Sequence, residues 1–128
     1  MRVYKVKVFA RFQRRERIAD ASLAKAVRSA EDRLVDADLG GGLIKQRVAR
    51  PGQGKSGGYR TVIAYRRGDL AVFLLGFAKS ERATIDDDEL EELRGQARAF
   101  LRLSTDQIEA AIAAEELMEV SYGDEEKG

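Results

Sequence analysis

The spacing of apolar positions changes along the chain, and each change predicts an element. From Met1 to Phe9, Val3, Lys5, Lys7 and Phe9 fall on one side and Tyr4, Val6 and Val8 on the other. This period of two predicts a strand whose purely apolar side meets the core. Arg11 to Ile18 is short and basic and predicts one or two helical turns. Leu23, Val27, Ala30 and Leu34 then recur at four, three and four residues, one stripe of a longer helix that Asp20 can cap and Gly40, Gly41 and Gly42 can end. Leu43 to Arg50 returns to strand spacing, with Ile44, Gln46 and Val48 on one face and Lys45, Arg47 and Ala49 on the other.

The segment Arg50 to Gly58, with one proline and four glycines, cannot continue that strand and predicts a turn or mobile loop carrying Lys55. Tyr59 to Tyr65 resumes the strand, Arg66 to Asp69 turns a hairpin, and Leu70 to Ala78 is apolar almost throughout, as a central strand buried on both faces would be. Beyond it, Ile85, Asp86 and Glu89 have the spacing of a hydrophobic staple and capping box, opening a helix whose Leu90, Leu93, Ala97, Phe100 and Leu101 share a face. Ser104 and Gln107 repeat the capping pattern for a helix through Ile108, Ala111 and Ile112, and Leu117 to Tyr122 predicts a short strand. The order of elements predicts an α+β fold.

Composition narrows the chemistry. The 128 residues suit one domain, read as 1–122 with a disordered tail at 123–128. There is no cysteine and no histidine, so disulfides, thiolate metal sites and the commonest general base are excluded. No metal or small-molecule cofactor is expected. No apolar run approaches the roughly 18 residues of a membrane span, and a cytoplasmic protein without a membrane partner is expected.

Charge is divided along the chain. Residues 1–82 carry 19 Lys and Arg against 8 Asp and Glu, whereas residues 83–128 carry 4 against 14. Between Leu39 and Gly68 there are seven basic residues and no acidic one. Acidic residues decorating two C-terminal helices would leave this basic run unexplained; a basic binding face with an anionic partner accounts for it.

Within that run, GQGKSGG (Gly52 to Gly58) has phosphate-loop composition but not its spacing, because position 49 is Ala49 and the loop leads into a strand. The loop is either a plain linker or a carrier of Lys55 toward a nucleic-acid backbone. Lys45 and Arg47 share a strand face and Arg60 opens the next strand. Cations gathered there repel one another unless an anion is bound, and such a cluster depresses the pKa of any lysine within it, which allows a general base without histidine. Tyr59 and Tyr65 are core aromatics or base-stacking platforms. Lys79-Ser80-Glu81-Arg82, just past the buried strand, is a surface cluster or part of a site.

The basic strand, GKSGGYR (Gly54 to Arg60), FLLGFAKSER (Phe73 to Arg82) and the capped acidic helix starting IDDDEL together resemble the RelE/ParE toxin superfamily, closest to its HigB-like branch. The resemblance implies N-terminal helices packed on a small twisted antiparallel sheet, with extra C-terminal helices. It implies a toxin of a toxin–antitoxin module that enters the ribosome and cuts mRNA without a metal, neutralised by a cognate antitoxin of helix-turn-helix type. It implies Arg60 and Arg82 as phosphate-stabilising residues, with Lys45 and Lys55 as candidates for proton exchange, and Arg47, Arg50, Tyr59, Tyr65 and Lys79 as RNA-binding residues. The family archetype has an arginine where this chain has Ser80 and a stacking tyrosine where it has Asp86, so the site must be completed differently. ParE-type relatives share the fold and inhibit DNA gyrase, the alternative reading.

Overall fold

The structure is a computed structural model and describes residues 1–50, 58–82 and 84–122. Its element order is β1 (Arg2–Val6), α1 (Lys7–Glu16), α2 (Asp20–Glu31), β2 (Ala37–Gly40), β3 (Leu43–Val48), β4 (Tyr59–Arg66), β5 (Leu70–Ala78), α3 (Asp87–Leu101), α4 (Thr105–Ala113) and β6 (Leu117–Glu119). The strands form one sheet in the order β2-β3-β4-β5-β1-β6. The fold is α+β, and the sheet is mixed rather than wholly antiparallel, because β1 runs parallel to β5 while the other neighbours are antiparallel.

Helices cover both faces, and the alternation of side chains divides the core in two. One layer holds Phe9 and Phe12 from α1 and Leu23, Val27 and Ala30 from α2, packed on Ile44, Val48, Tyr59, Ile63 and Phe73 of the sheet. The other holds Leu93 and Ala97 of α3 and Ile108 of α4 against Leu43, Val62, Ala64, Val72 and Leu74. The continuously apolar β5 is buried on both sides as its pattern requires.

Three local expectations are corrected. The first strand ends at Val6, not Phe9, and α1 begins at Lys7: Phe9, Ala10, Phe12 and Gln13 are buried at helical spacing, which leaves Val8 52% exposed. The second helix ends at Glu31, so Leu34 is 66% exposed, and Gly40, Gly41 and Gly42, all at positive φ, turn the chain between β2 and β3 instead of ending a helix. Asp20 does not cap α2; the N-cap is Ala19. The Asp20 carboxylate instead accepts from Gln13 Nε2 (2.8 Å) and Lys5 Nζ (3.4 Å) through one oxygen and from the Ser121 N–H (3.0 Å) through the other, tying β1, α1, α2 and the segment after β6 together. Partial burial pushes its pKa up, but these donors outweigh it and hold the carboxyl below its ordinary value. The proposed tail at 123–128 lies outside the described residues.

A bulge in β5 decides what faces α3. Val62 pairs with Leu75 and Ile63 with Phe73, so Leu74 is the extra residue. An extra residue reverses the facing of every later side chain on its strand. Phe77 is thereby turned to the α3 side, and Gly76 faces Phe12 and Phe9 of α1.

Candidate functional site

The strand register assembles the cations. Arg47 on β3 lies opposite Arg60 on β4, and Arg60 lies opposite Phe77 on β5, so the three form one row across the sheet. Lys45 is two residues from Arg47 on the same strand face, and the Arg82 guanidinium stands over the Phe77 ring with its carbon 4.8 Å from the centroid. Lys45, Arg47, Arg60 and Arg82 therefore occupy one face of the sheet, the face that α3 packs on.

The members of the row differ in their partners. Arg82 Nη2 donates to Glu89 Oε2 at 3.0 Å and Nη1 stands 3.0 Å from Oε1, with both side chains about a third exposed. Arg60 Nη1 is buried and has no hydrogen-bond partner among the described residues. A buried donor left unpaired is costly, more so when it is charged, and it calls for an acceptor such as an anionic oxygen or a water. Arg47 uses its backbone N–H to bond Asp36 Oδ2 at 2.6 Å, which leaves its exposed guanidinium outside that contact.

Other candidates are placed elsewhere. Tyr59 and Tyr65 face the α1 and α2 side of β4, opposite to Arg60. Tyr59 is 2% exposed, meets Phe12 edge-on at 5.5 Å and donates to Glu16 Oε1 at 3.1 Å. Tyr65 donates to Glu31 Oε2 at 2.5 Å. Burial first, and the neighbouring carboxylate second, raise both phenol pKa values, so both stay neutral donors. Arg50 stands over the Tyr59 ring at 5.6 Å, on that other side. Lys79 and Ser80 are exposed in the turn after β5. Arg66 and Arg67 brace the fold, donating to Asp69 Oδ2 and Leu101 O, and to Glu31 O. Lys55 lies outside the described residues.

Two residues of the cluster escaped the sequence reading. Phe77 was hidden by the bulge, without which strand alternation assigns it to the opposite face. Glu89 was assigned to a capping box. Asp86 does cap α3, accepting the Glu89 N–H at 2.9 Å, but the Glu89 carboxylate does not complete the box. It turns to Arg82 instead. The only advance signal was the Lys-Ser-Glu-Arg cluster, which placed a cation within reach of the start of α3.

The row is a surface more than a pit. A groove of about 520 Å³ between β1, β5 and α3 includes Glu89 in its lining, and a hollow of about 500 Å³ beside α2 reaches Arg47. Arg60, Phe77 and Arg82 line neither, and their arrangement suits an extended anion lying across the strands.

A family model for the RelE toxin of the RelE/RelB toxin–antitoxin system matches residues 1–120. The chain belongs to the RelE toxin family. No curated protein matches it at a significant level. As a RelE-family toxin it has a place in a toxin–antitoxin system, and that membership implies a cognate antitoxin as partner. Among the described residues of this RelE-family chain, no helix is long and apolar enough to cross a membrane.

Proposed function

We propose that this toxin is a ribosome-dependent mRNA endoribonuclease acting in the cytoplasm. The observation that carries the reading is Arg60: a buried guanidinium nitrogen without a partner, in register with Arg47 and beside a ring that carries Arg82. An array of this kind suits the charge that accumulates when a ribose 2′-oxygen attacks the adjacent phosphorus. The 2′-O–P bond forms and the P–O5′ bond breaks, leaving a 2′,3′-cyclic phosphate. The 2′-hydroxyl proton leaves to a base and the departing 5′-oxygen gains one. Arg60 and Arg82 are assigned to the phosphate oxygens, Arg47 to the neighbouring backbone, and Lys45 to proton exchange, with Lys55 as the other candidate. Placement in the HigB-like branch, with a helix-turn-helix antitoxin, belongs to the same proposal and rests on the sequence resemblance.

Primer extension on a reporter transcript after induction tests it. Wild type is expected to produce cleavage within translated codons, and Arg60→Ala to lower the rate by about 10² or more, the usual effect of removing a group that stabilises developing charge. Intact mRNA on translating ribosomes with the wild-type protein would refute the nuclease. Loss of gyrase supercoiling activity in the same cells would point to the ParE-type alternative.

A further inference from the structure

We propose that Phe77 and Glu89 are positioning residues that hold the Arg82 guanidinium beside Arg60 in the geometry a phosphate requires. The inference rests on the nuclease reading and adds two residues to it. Arg82 follows a turn, its N–H bonded to Ala78 O at 3.3 Å, and an arginine there would otherwise be spread over many rotamers. Two flat surfaces remove that freedom. The Phe77 ring lies under the guanidinium at 4.8 Å, and the Glu89 carboxylate meets its edge with two N···O separations of 3.0 Å. This fork occupies one edge of the plane and leaves the Nε–H and outer Nη hydrogens for a ligand.

Charge and register explain why both residues are needed. Phe77 is the strand partner of Arg60, so stacking on its ring brings a second guanidinium close to the first. Like charges so placed repel, and the Glu89 carboxylate offsets one of them. Glu89 also stands three residues after the N-cap of α3, where a carboxylate ordinarily returns to its own helix. Its Oε1 accepts no hydrogen bond and stands in an ion pair with Arg82 Nη1, while Oε2 accepts from Arg82 Nη2. An ion pair about a third exposed contributes little to stability, so the arrangement is better explained by orientation than by folding.

The experiment compares Glu89→Gln, Phe77→Leu, Phe77→Tyr, Arg82→Ala and the double variant Glu89→Gln/Arg82→Ala. Its readouts are single-turnover mRNA cleavage on translating ribosomes, thermal unfolding, and the NMR signal of the Arg82 Nε–H. Glu89→Gln and Phe77→Leu are expected to slow cleavage about tenfold each, as misplacement of a reacting group does; Glu89→Gln leaves the melting temperature little changed, whereas Phe77→Leu, at a position 5% exposed, lowers it. Phe77→Tyr keeps the ring face and loses less. Glu89→Gln adds nothing to Arg82→Ala, because it acts through that residue, and both single variants broaden the Arg82 signal. An undiminished tenfold loss in the double variant, or an Arg82 signal indifferent to residues 77 and 89, overturns the proposal. If the wild type cleaves nothing, the nuclease reading fails, and the NMR comparison still decides the positioning.

Discussion

Replacing Gly76 with alanine tests the bulge that arranges the site. A Cβ at this position would stand 2.4 and 2.5 Å from two carbons of the Phe12 ring and 2.9 Å from Phe9, where ordinary carbon contacts are about 3.5 to 4.0 Å. One ring must therefore move by about an ångström. Phe12 cannot do so freely: it packs against Phe9 at 5.6 Å and Tyr59 at 5.5 Å, and all three rings are nearly inaccessible to solvent. Overpacking of this kind costs about 1–3 kcal/mol, partly offset by the roughly 0.4–1 kcal/mol that alanine gains by restricting the unfolded chain. The net loss, about 1–2 kcal/mol, should lower the melting temperature by about 3–5 °C per kcal/mol. Urea unfolding should show a reduced midpoint with an unchanged slope. Phe12→Leu in the same chain should make the alanine less harmful than it is alone, since the two sites share the space. A midpoint unchanged or raised by Gly76→Ala would refute the packing of α1 on β5, and with it the phase that turns Phe77 toward α3.

Further outcomes concern the helices, the buried amide and acid. Asp86→Ala removes the α3 cap and should cost about 1 kcal/mol in equilibrium unfolding. Gln46→Leu should cost about 1–3 kcal/mol, because the buried amide donates to Ala26 O and Leu34 O and accepts the Asp36 N–H, groups that leucine leaves unpartnered. The carboxyls of Asp20, Glu31 and Asp69 are held below their ordinary range: Asp69 by Arg2 and Arg66, and the other two by donors that outweigh burial. A lowered folded pKa contributes stability above the unfolded value of about 4 and loses it as pH falls through the folded value. The urea midpoint should hold from pH 7 to about 5 and decline below about 4, less steeply in Glu31→Gln.

The elements legible in the sequence are those whose signals are local. Continuous apolarity marked β5, alternation marked β3 and β4, and cap spacing marked α3 and α4. What was missed depends on partners distant in the chain. The alternation of Met1 to Phe9 fits a strand throughout, and only packing against β5 ends it at Val6 and winds Val8 outward. The strand Ala37 to Gly40 has no apolar period of its own and exists through pairing with β3. Basic residues on neighbouring strands could be read as a group, and alternation along Tyr59 to Tyr65 already sets both tyrosines opposite to Arg60, yet which face receives the cations depends on inter-strand register. Glu89 had two possible partners at similar reach, its own helix end and Arg82, and spacing cannot choose between them.

The position of β1 also bears on when the toxin can form. Arg2 aligns with Leu70, and Tyr4 with Glu119, so the earliest-made strand waits for neighbours made much later. Contacts this distant in sequence slow folding, because long loops must close before any pairing rewards them. Until residues 117–119 are made, β1 can pair on one side alone, with β5, and its other edge stays open. The six-stranded sheet is therefore complete only once β6 has been made, and its last step joins the two strands farthest apart in the chain.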